Sequence, residues 1–201
     1  MNTRLQVEHP VTELVTGLDL VKLQIAVASG DKLAYTQNDL IQRGHALELR
    51  IYAEDPDNGF LPSIGTIHQV AQTSARLDTG YRDGNKVTIS FDPMLAKLVV
   101  YGATRDEAIA SAIQALKETP FLGVTTNRDY LARILGHEKF IAGETFTHFV
   151  GTYADSLSPK DAGDEEMALA VASHFLMNTS SKTVSEKDTY SSWSHLTGFR
   201  L

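Results

Sequence analysis

From Gly65 to Tyr101 the sequence reads as β structure throughout, and this stretch constrains the fold more than any other. Strand-forming runs at Thr66–Ala71, Ala75–Asp78, Lys86–Ser90 and Met94–Tyr101 are separated by Thr79-Gly80 and Asp83-Gly84-Asn85. Gly, Asn and Asp suit tight turns because they tolerate positive φ or bond to their own backbone. Short strands joined by such turns pair antiparallel. A further run, His45–Pro56, alternates Glu48, Arg50 and Tyr52 with Leu47, Leu49 and Ile51, the period of a half-buried strand. The cluster Asp55-Pro56-Asp57-Asn58-Gly59 then turns the chain.

Helical periodicity lies on both sides of this region. Leu14, Leu18, Val21, Ile25 and Ala28 recur every three or four residues, predicting a helix over Val11–Ser29 that Gly30 stops. Asn38-Asp39 suggests a short helical turn near Gln37. Thr104 and Glu107 have capping-box spacing at the head of a helix over Arg105–Glu118, with Ala108, Ile109, Ala112, Ile113 and Leu116 as its buried stripe. Pro120 ends it, a short strand Phe121–Val124 follows, and Asn127 starts a helix to Leu135. The fold class expected is α+β, a mostly antiparallel sheet flanked by three or four helices. Ala154–Asp164 reads as a linker, Glu165–Met177 as a helix and Asn178–Ser192 as a mobile polar stretch, giving a helical, partly disordered tail. The division expected is 1–152 for the domain and 153–201 for the linker, helix and start of a following domain.

Composition narrows function by exclusion. A net charge of −7 argues against non-specific nucleic-acid binding. The absence of cysteine removes disulfides, thiolate metal sites and thiol nucleophiles. No apolar run reaches the roughly 18 residues of a membrane span, and no signal-peptide pattern opens the chain. No glycine-rich phosphate loop occurs. A reducing compartment is expected, and neither nucleic acid nor membrane as a partner.

The opening stretch, Asn2 to His9, is the chemically loaded one. Read as a strand, it puts Asn2, Arg4, Gln6 and Glu8 on one face and Thr3, Leu5, Val7 and His9 on the other. A guanidinium suits a carboxylate-like oxyanion, and a carboxylate two pleats away suits a general base. By alternation alone, this reads first as the wet face of an ordinary strand. Asp92, before Pro93, is by itself a common turn residue, and His148 reads as a hydrogen-bonded structural histidine.

Met1-Asn-Thr-Arg-Leu-Gln-Val-Glu-His-Pro-Val-Thr-Glu13 closely resembles the signature of biotin carboxylases, the ATP-dependent components of biotin-dependent carboxylases. His45–Pro56, Phe91–Leu98 and Gly123–Asn127 resemble further segments of the same family in the same order, and the likeness weakens past Thr152. The resemblance implies the C-terminal domain of the biotin carboxylase of an acyl-CoA carboxylase α subunit. It implies Glu8 as the base that deprotonates bicarbonate, and Arg4, Gln6 and the Val7 backbone as its holders. Arg50 is implied to steady the biotin enolate, with Asp92 nearby, and Asn2 to approach the metal and ATP phosphates. Biotin on a biotinylated domain, ATP, and Mg or Mn are the implied cofactors. The implied partners are an ATP-grasp portion of the same enzyme, a biotin carboxyl carrier domain and a carboxyltransferase subunit. The implied location is the cytoplasm, or the mitochondrial matrix in a eukaryote.

The family's signature is preceded by a metal-binding glutamate, so a chain starting at Met1 is expected to open inside an active site and to be inactive alone. Ser192–Arg200 resembles the opening of the next domain in acyl-CoA carboxylase α chains, and the wording leans towards propionyl-, methylcrotonyl- or geranyl-CoA carboxylases. Alternatives are a non-catalytic subunit-interaction domain, or part of a pyruvate or urea carboxylase.

Overall fold

A computed structural model describes residues 2–71, 73–159, 169 and 171–173. The chain divides into two compact units, the first ending at Pro159 and the second comprising residues 160–201. In the second, residues 169 and 171–173 are helical and exposed. The rest of the expected Glu165–Met177 helix, the polar stretch after it and the Ser192–Arg200 segment lie outside the described residues.

The first unit opens with helices α1 (His9–Thr16) and α2 (Leu20–Ala28), followed by a 3-10 turn at Gln37–Asp39. Strand β1 (His45–Tyr52) leads through β2 (Glu54–Asp55) to β3 (Leu61–Pro62), β4 (Gly65–Thr66), β5 (Gln69–Val70), β6 (Arg76–Thr79), β7 (Lys86–Val87) and β8 (Met94–Gly102). Then come α3 (Arg105–Glu118), β9 (Phe121–Leu122), α4 (Arg128–Leu135) and three single-turn helices, α5 (Glu138–Ile141), α6 (Phe149–Thr152) and α7 (Ala154–Leu157). This is an α+β architecture in which every strand pair is antiparallel.

The principal sheet has the order β1-β8-β6. Leu49 and Ile51 face Leu98 and Ala96 across the β1/β8 ladder, and all four are buried. Helix α3 packs on this face, burying Ala108, Ile109, Ala112, Ala115 and Leu116. Its start follows the sequence reading closely: Thr104 Oγ1 accepts the Glu107 amide at 3.2 Å. The Glu107 carboxylate reaches back to the Ala103 amide, one residue short of the reciprocal capping-box bond. The opposite sheet face carries Glu48, Arg50, Arg76, Asp78 and Lys97 by alternation, and α1 packs against β1 and β8. The charged row is therefore held between a buried sheet and a helix.

Several sequence expectations are corrected. The Asn2–His9 stretch is not a strand, because its carbonyls are drawn into the helix that follows. Gln6 O accepts from His9 N–H and Glu8 O from Val11 N–H, with Pro10 preorganising the first turn of α1. The single helix over Val11–Ser29 is two. Gly17 adopts φ +76°, its amide closing on Glu13 O, and Asp19 then caps α2 by accepting the Lys22 amide. The Glu13 side chain joins the two by accepting the Leu20 amide at 2.8 Å.

The stripe assigned to that helix is not core: Leu14, Val21 and Ile25 are exposed, and no residue of α2 is buried. The expected strand Thr66–Ala71 splits into β4, which pairs with β7, and β5, which pairs with β9. Lys86–Ser90 is a strand only over Lys86–Val87. β6 and β8 flank no shared hairpin turn yet pair with each other, so sequence neighbours are not the main partners. Ala154–Leu157, read as the beginning of a linker, is helical, and Leu157 is buried.

Candidate functional site

The site forms where the turn before α1 meets the charged face of β1. The Arg50 guanidinium donates a 2.7 Å hydrogen bond to the Glu8 carboxylate across 42 residues of sequence. Both side chains are substantially open, 40% exposed for Arg50 and 55% for Glu8. Beside Arg50 in the ladder stands Lys97, which is its direct partner across β1/β8. Lys97 Nζ donates to the Val7 carbonyl at 2.9 Å, so the turn carrying Glu8 is fastened to the central strand.

Glu48 is the electrostatic centre of this face. Its side chain is only 3% exposed, and its oxygens lie 3.9 Å from Arg50 Nε and 3.8 Å from Lys97 Nζ. Neither oxygen has a hydrogen-bond partner. Burial pushes the Glu48 carboxyl above the usual carboxylate range, while Lys97 and Arg50 pull it down. Asp78, on β6, moves the other way: hydrogen bonds from Arg76 hold its carboxyl low, and its oxygen lies 3.8 Å from Lys97 Nζ. The row Asp78, Lys97, Glu48, Arg50, Glu8 thus alternates in sign across three strands and one turn.

The other expected site residues are placed as follows. Arg4, Gln6 and Glu8 line one cleft of about 840 Å³, whose far wall is apolar and includes Leu20, Leu23 and Leu33. Leu5 lines the same cleft, so the expected separation of odd from even residues does not hold once the strand is replaced by a turn. The Arg4 guanidinium donates to Leu5 O at 3.3 Å and is not joined to Glu8. Gln6 Nε2 donates to Arg4 O at 3.0 Å and Asn2 O at 3.4 Å, bracing the turn from within. The Asp92 carboxylate accepts the Met94 amide at 2.8 Å, a turn role at the entry to β8. His148 precedes α6 and stacks on Phe146.

Two residues that hold the site were not picked out from sequence as doing so. Lys97 is one, since only the register brings it beside Arg50. Asn127 is the other. Read as a helix cap, it makes no side-chain cap bond. Its Oδ1 accepts the Tyr52 amide at 2.9 Å, its Nδ2 donates to Arg50 O at 3.1 Å, and its own amide donates to Tyr52 O. These bonds satisfy β1 where its register with β8 slips, Ile51 facing Ala96 and Tyr52 facing Met94. Asn127 itself is buried, so the Arg50 backbone is fixed on its inner side.

Among the described residues no group of three or more His, Asp or Glu side chains is placed to hold a metal ion. Asn2 offers a single exposed amide. These residues do not make a divalent-cation site by themselves.

Residues 48–152 match the family described as biotin carboxylase C-terminal domain. Residues 1–36 match the ATP binding domain of the carbamoyl-phosphate synthase L chain. The chain is 40% identical over 210 residues to the mitochondrial methylcrotonoyl-CoA carboxylase subunit alpha of Rattus norvegicus, a match covering 100% of this chain and 29% of that protein. It is 47% identical over 153 residues to a biotin carboxylase of Halalkalibacterium halodurans, covering 75% of this chain and 34% of the relative. The chain thus spans about a third of the length of these relatives.

Among solved structures, the biotin carboxylase subunit of pyruvate carboxylase superposes with a TM-score of 0.76 at 37% identity, over 80% of this chain and 36% of that one. The biotin carboxylase domain of Hydrogenobacter thermophilus 2-oxoglutarate carboxylase, solved with MgADP, ADP and bicarbonate, superposes at 0.74 and 36% identity, over 80% of this chain and 36% of that one.

Proposed function

The chain belongs to the biotin carboxylase C-terminal domain family, and from that premise we propose that it supplies the bicarbonate- and biotin-facing wall of a biotin carboxylase in an acyl-CoA carboxylase. An ATP-grasp portion completes that enzyme, a carrier domain brings the biotin, and a carboxyltransferase subunit takes the carboxyl group onward. ATP and Mg serve the ATP-grasp side of the reaction, where bicarbonate is activated. A mitochondrial matrix or cytoplasmic setting fits the absence of cysteine.

The observation that carries this reading is the Glu8–Arg50 contact. A base and an electrophilic donor must face one reacting centre, and these two groups, far apart in sequence, already face each other. Glu8, half open to solvent, takes the bicarbonate proton. Arg50 is freed from Glu8 as that carboxylate is protonated, and its guanidinium is then available to the ureido oxygen of biotin as negative charge develops there. Arg4, open to the cleft, is a fork for the bicarbonate oxyanion. Gln6 braces the turn and the Val7 carbonyl anchors it, while Asn2 borders the nucleotide side and Asp92 shapes the entry to β8.

The test uses the complete carboxylase and its two partial reactions. Glu8→Gln keeps the shape but cannot accept a proton, and should lower bicarbonate-dependent ATP cleavage by about 10²–10⁴-fold. Arg50→Ala should reduce carboxylation of free biotin more than ATP cleavage. Loss of both partial reactions in the same proportion in both variants would refute the division of roles.

A further inference from the structure

We propose that Lys97 and Glu48 are positioning residues of this site: Lys97 ties the Val7 carbonyl to the sheet so that Glu8 meets Arg50, and Glu48 holds the two cations side by side. The inference rests on the reading of Glu8 and Arg50 given above.

Its first support is an arrangement that stability alone disfavours. Lys97 stands directly opposite Arg50 in an antiparallel pair, and like charges in that relation repel. A carboxylate is spent to offset them, and that carboxylate is 3% exposed with no hydrogen bond to either oxygen. Buried charges with this geometry are poor stabilisers, because desolvation cancels most of the attraction. What the arrangement secures is location. Glu48 lies within 4 Å of both cations, and Asp78 supports Lys97 from the third strand.

The second support is where Lys97 spends its hydrogen bond. It bypasses the carboxylates around it and donates at 2.9 Å to a backbone carbonyl 90 residues away. That carbonyl belongs to Val7, the residue before Glu8. Fixing this peptide fixes the Glu8 Cα, and a carboxylate carried on two methylenes then reaches the Arg50 guanidinium at 2.7 Å. Without the tether, the segment before α1 has only the bonds within its own turn and the solvent-open Glu8–Arg50 bond to hold it. Lys97 is well placed for this and for no direct chemistry, being 15% exposed beneath the turn.

Two measurements test the proposal. In the complete carboxylase, Lys97→Met should lower kcat for carboxylation of free biotin by about 10²-fold, the scale of a misplaced catalytic group, with KM for ATP unchanged. Lys97→Arg, which keeps a donor of similar reach, should restore most of the loss. Glu48→Gln should lower the same kcat while leaving resistance to denaturant intact or improved, a combination that a merely structural ion pair would not give.

Hydrogen exchange on the chain of residues 1–201 supplies a readout independent of activity. Lys97→Met should lose amide protection at His9 and Val11 with α3 unchanged, and Lys97→Arg should keep it. Wild-type kcat in Lys97→Met, or a loss that Lys97→Arg does not repair, would overturn the proposal. So would unaltered exchange at His9. If Glu8→Gln and Arg50→Ala both proved fully active, the functional reading would fall instead, whatever Lys97 did.

Discussion

Glu8 and Arg50 share a 2.7 Å hydrogen bond between a turn that no strand pairs with and the edge strand of the principal sheet. Exposed pairs of this kind contribute about 0–1 kcal/mol, because water competes for both partners. Glu8→Gln should therefore shift the stability of the chain by less than about 1 kcal/mol, as read from the urea midpoint at constant slope. A larger shift would mean that the carboxylate is structural, and a loss of activity in that variant could not then be assigned to proton transfer.

Asn127 should behave in the opposite way. Asn127→Ala leaves the part-buried Tyr52 amide and Arg50 carbonyl without their partner at the register slip, at a total cost of roughly 1–3 kcal/mol. Urea denaturation should show this loss in the isolated chain. A drop under about 1 kcal/mol would indicate that water replaces the amide there.

Glu48 sets a pH dependence whose sign follows from its raised carboxyl. A carboxyl that titrates higher when folded binds its proton more tightly in the native state. Stability is then favoured at low pH and falls as pH rises through the window between the ordinary glutamate value and the folded one. Asp78 works in reverse: its depressed carboxyl contributes stability above the ordinary aspartate value that is lost as pH falls through the lower folded value. The stability of Glu48→Gln relative to wild type should therefore increase with pH above the ordinary glutamate value and then level off. A difference that is flat across that window would show that Glu48 ionises as freely folded as unfolded.

Gly123 and Gly143 separate two costs of the same substitution. Both have positive φ, +107° and +79°, but a Cβ at Gly123 would lie 2.0 Å from Thr66 O, whereas nothing lies within 4 Å at Gly143. Gly143→Ala should cost about 1 kcal/mol for the backbone alone. Gly123→Ala should cost clearly more and perturb the β5/β9 pairing, seen as faster exchange of the His68 and Ala71 amides, which donate to Leu122 O and Pro120 O. Equal costs at the two sites would mean that the close approach to Thr66 relaxes freely.

ATP cleavage offers a last check on the division of labour. The 201 residues alone should release no biotin-dependent phosphate, since among the described residues no metal-binding cluster exists and no phosphate loop occurs in the sequence. Turnover above that of Glu8→Gln in the same preparation would contradict this.

What the sequence made legible follows the range of the forces involved. Helix α3 is readable because its cap, its period and its stop at Pro120 are all local. Strand β1 is readable because its side chains alternate from Leu47 to Tyr52, and β8 because a largely apolar run interrupted by Lys97 follows the turn at Asp92-Pro93. The opening turn is not legible in the sequence because alternation tests only side chains, while the carbonyls of Gln6 and Glu8 are claimed by the helix that Pro10 begins. The break at Gly17 was hidden by apolar spacing that continues across it. Glu8 and Arg50 stood out as chemistry-bearing residues. Lys97 and Asn127 did not, because their roles depend on which strand lies beside which and on a slip of one residue between them.

That α2 buries no residue, and that the segment before α1 is tied to the sheet by Lys97 and Arg50, has a thermodynamic consequence. The turn before α1 behaves less as part of the core than as a ligand that the chain carries for itself, next to the buried Pro10 that anchors α1. Glu8 occupies its place by intramolecular association, at the high effective concentration that a short tether confers. Its occupancy can thus change without unfolding anything else. A carboxylate that is only docked can let go of Arg50 and return to it, and a site assembled in this way is free to open.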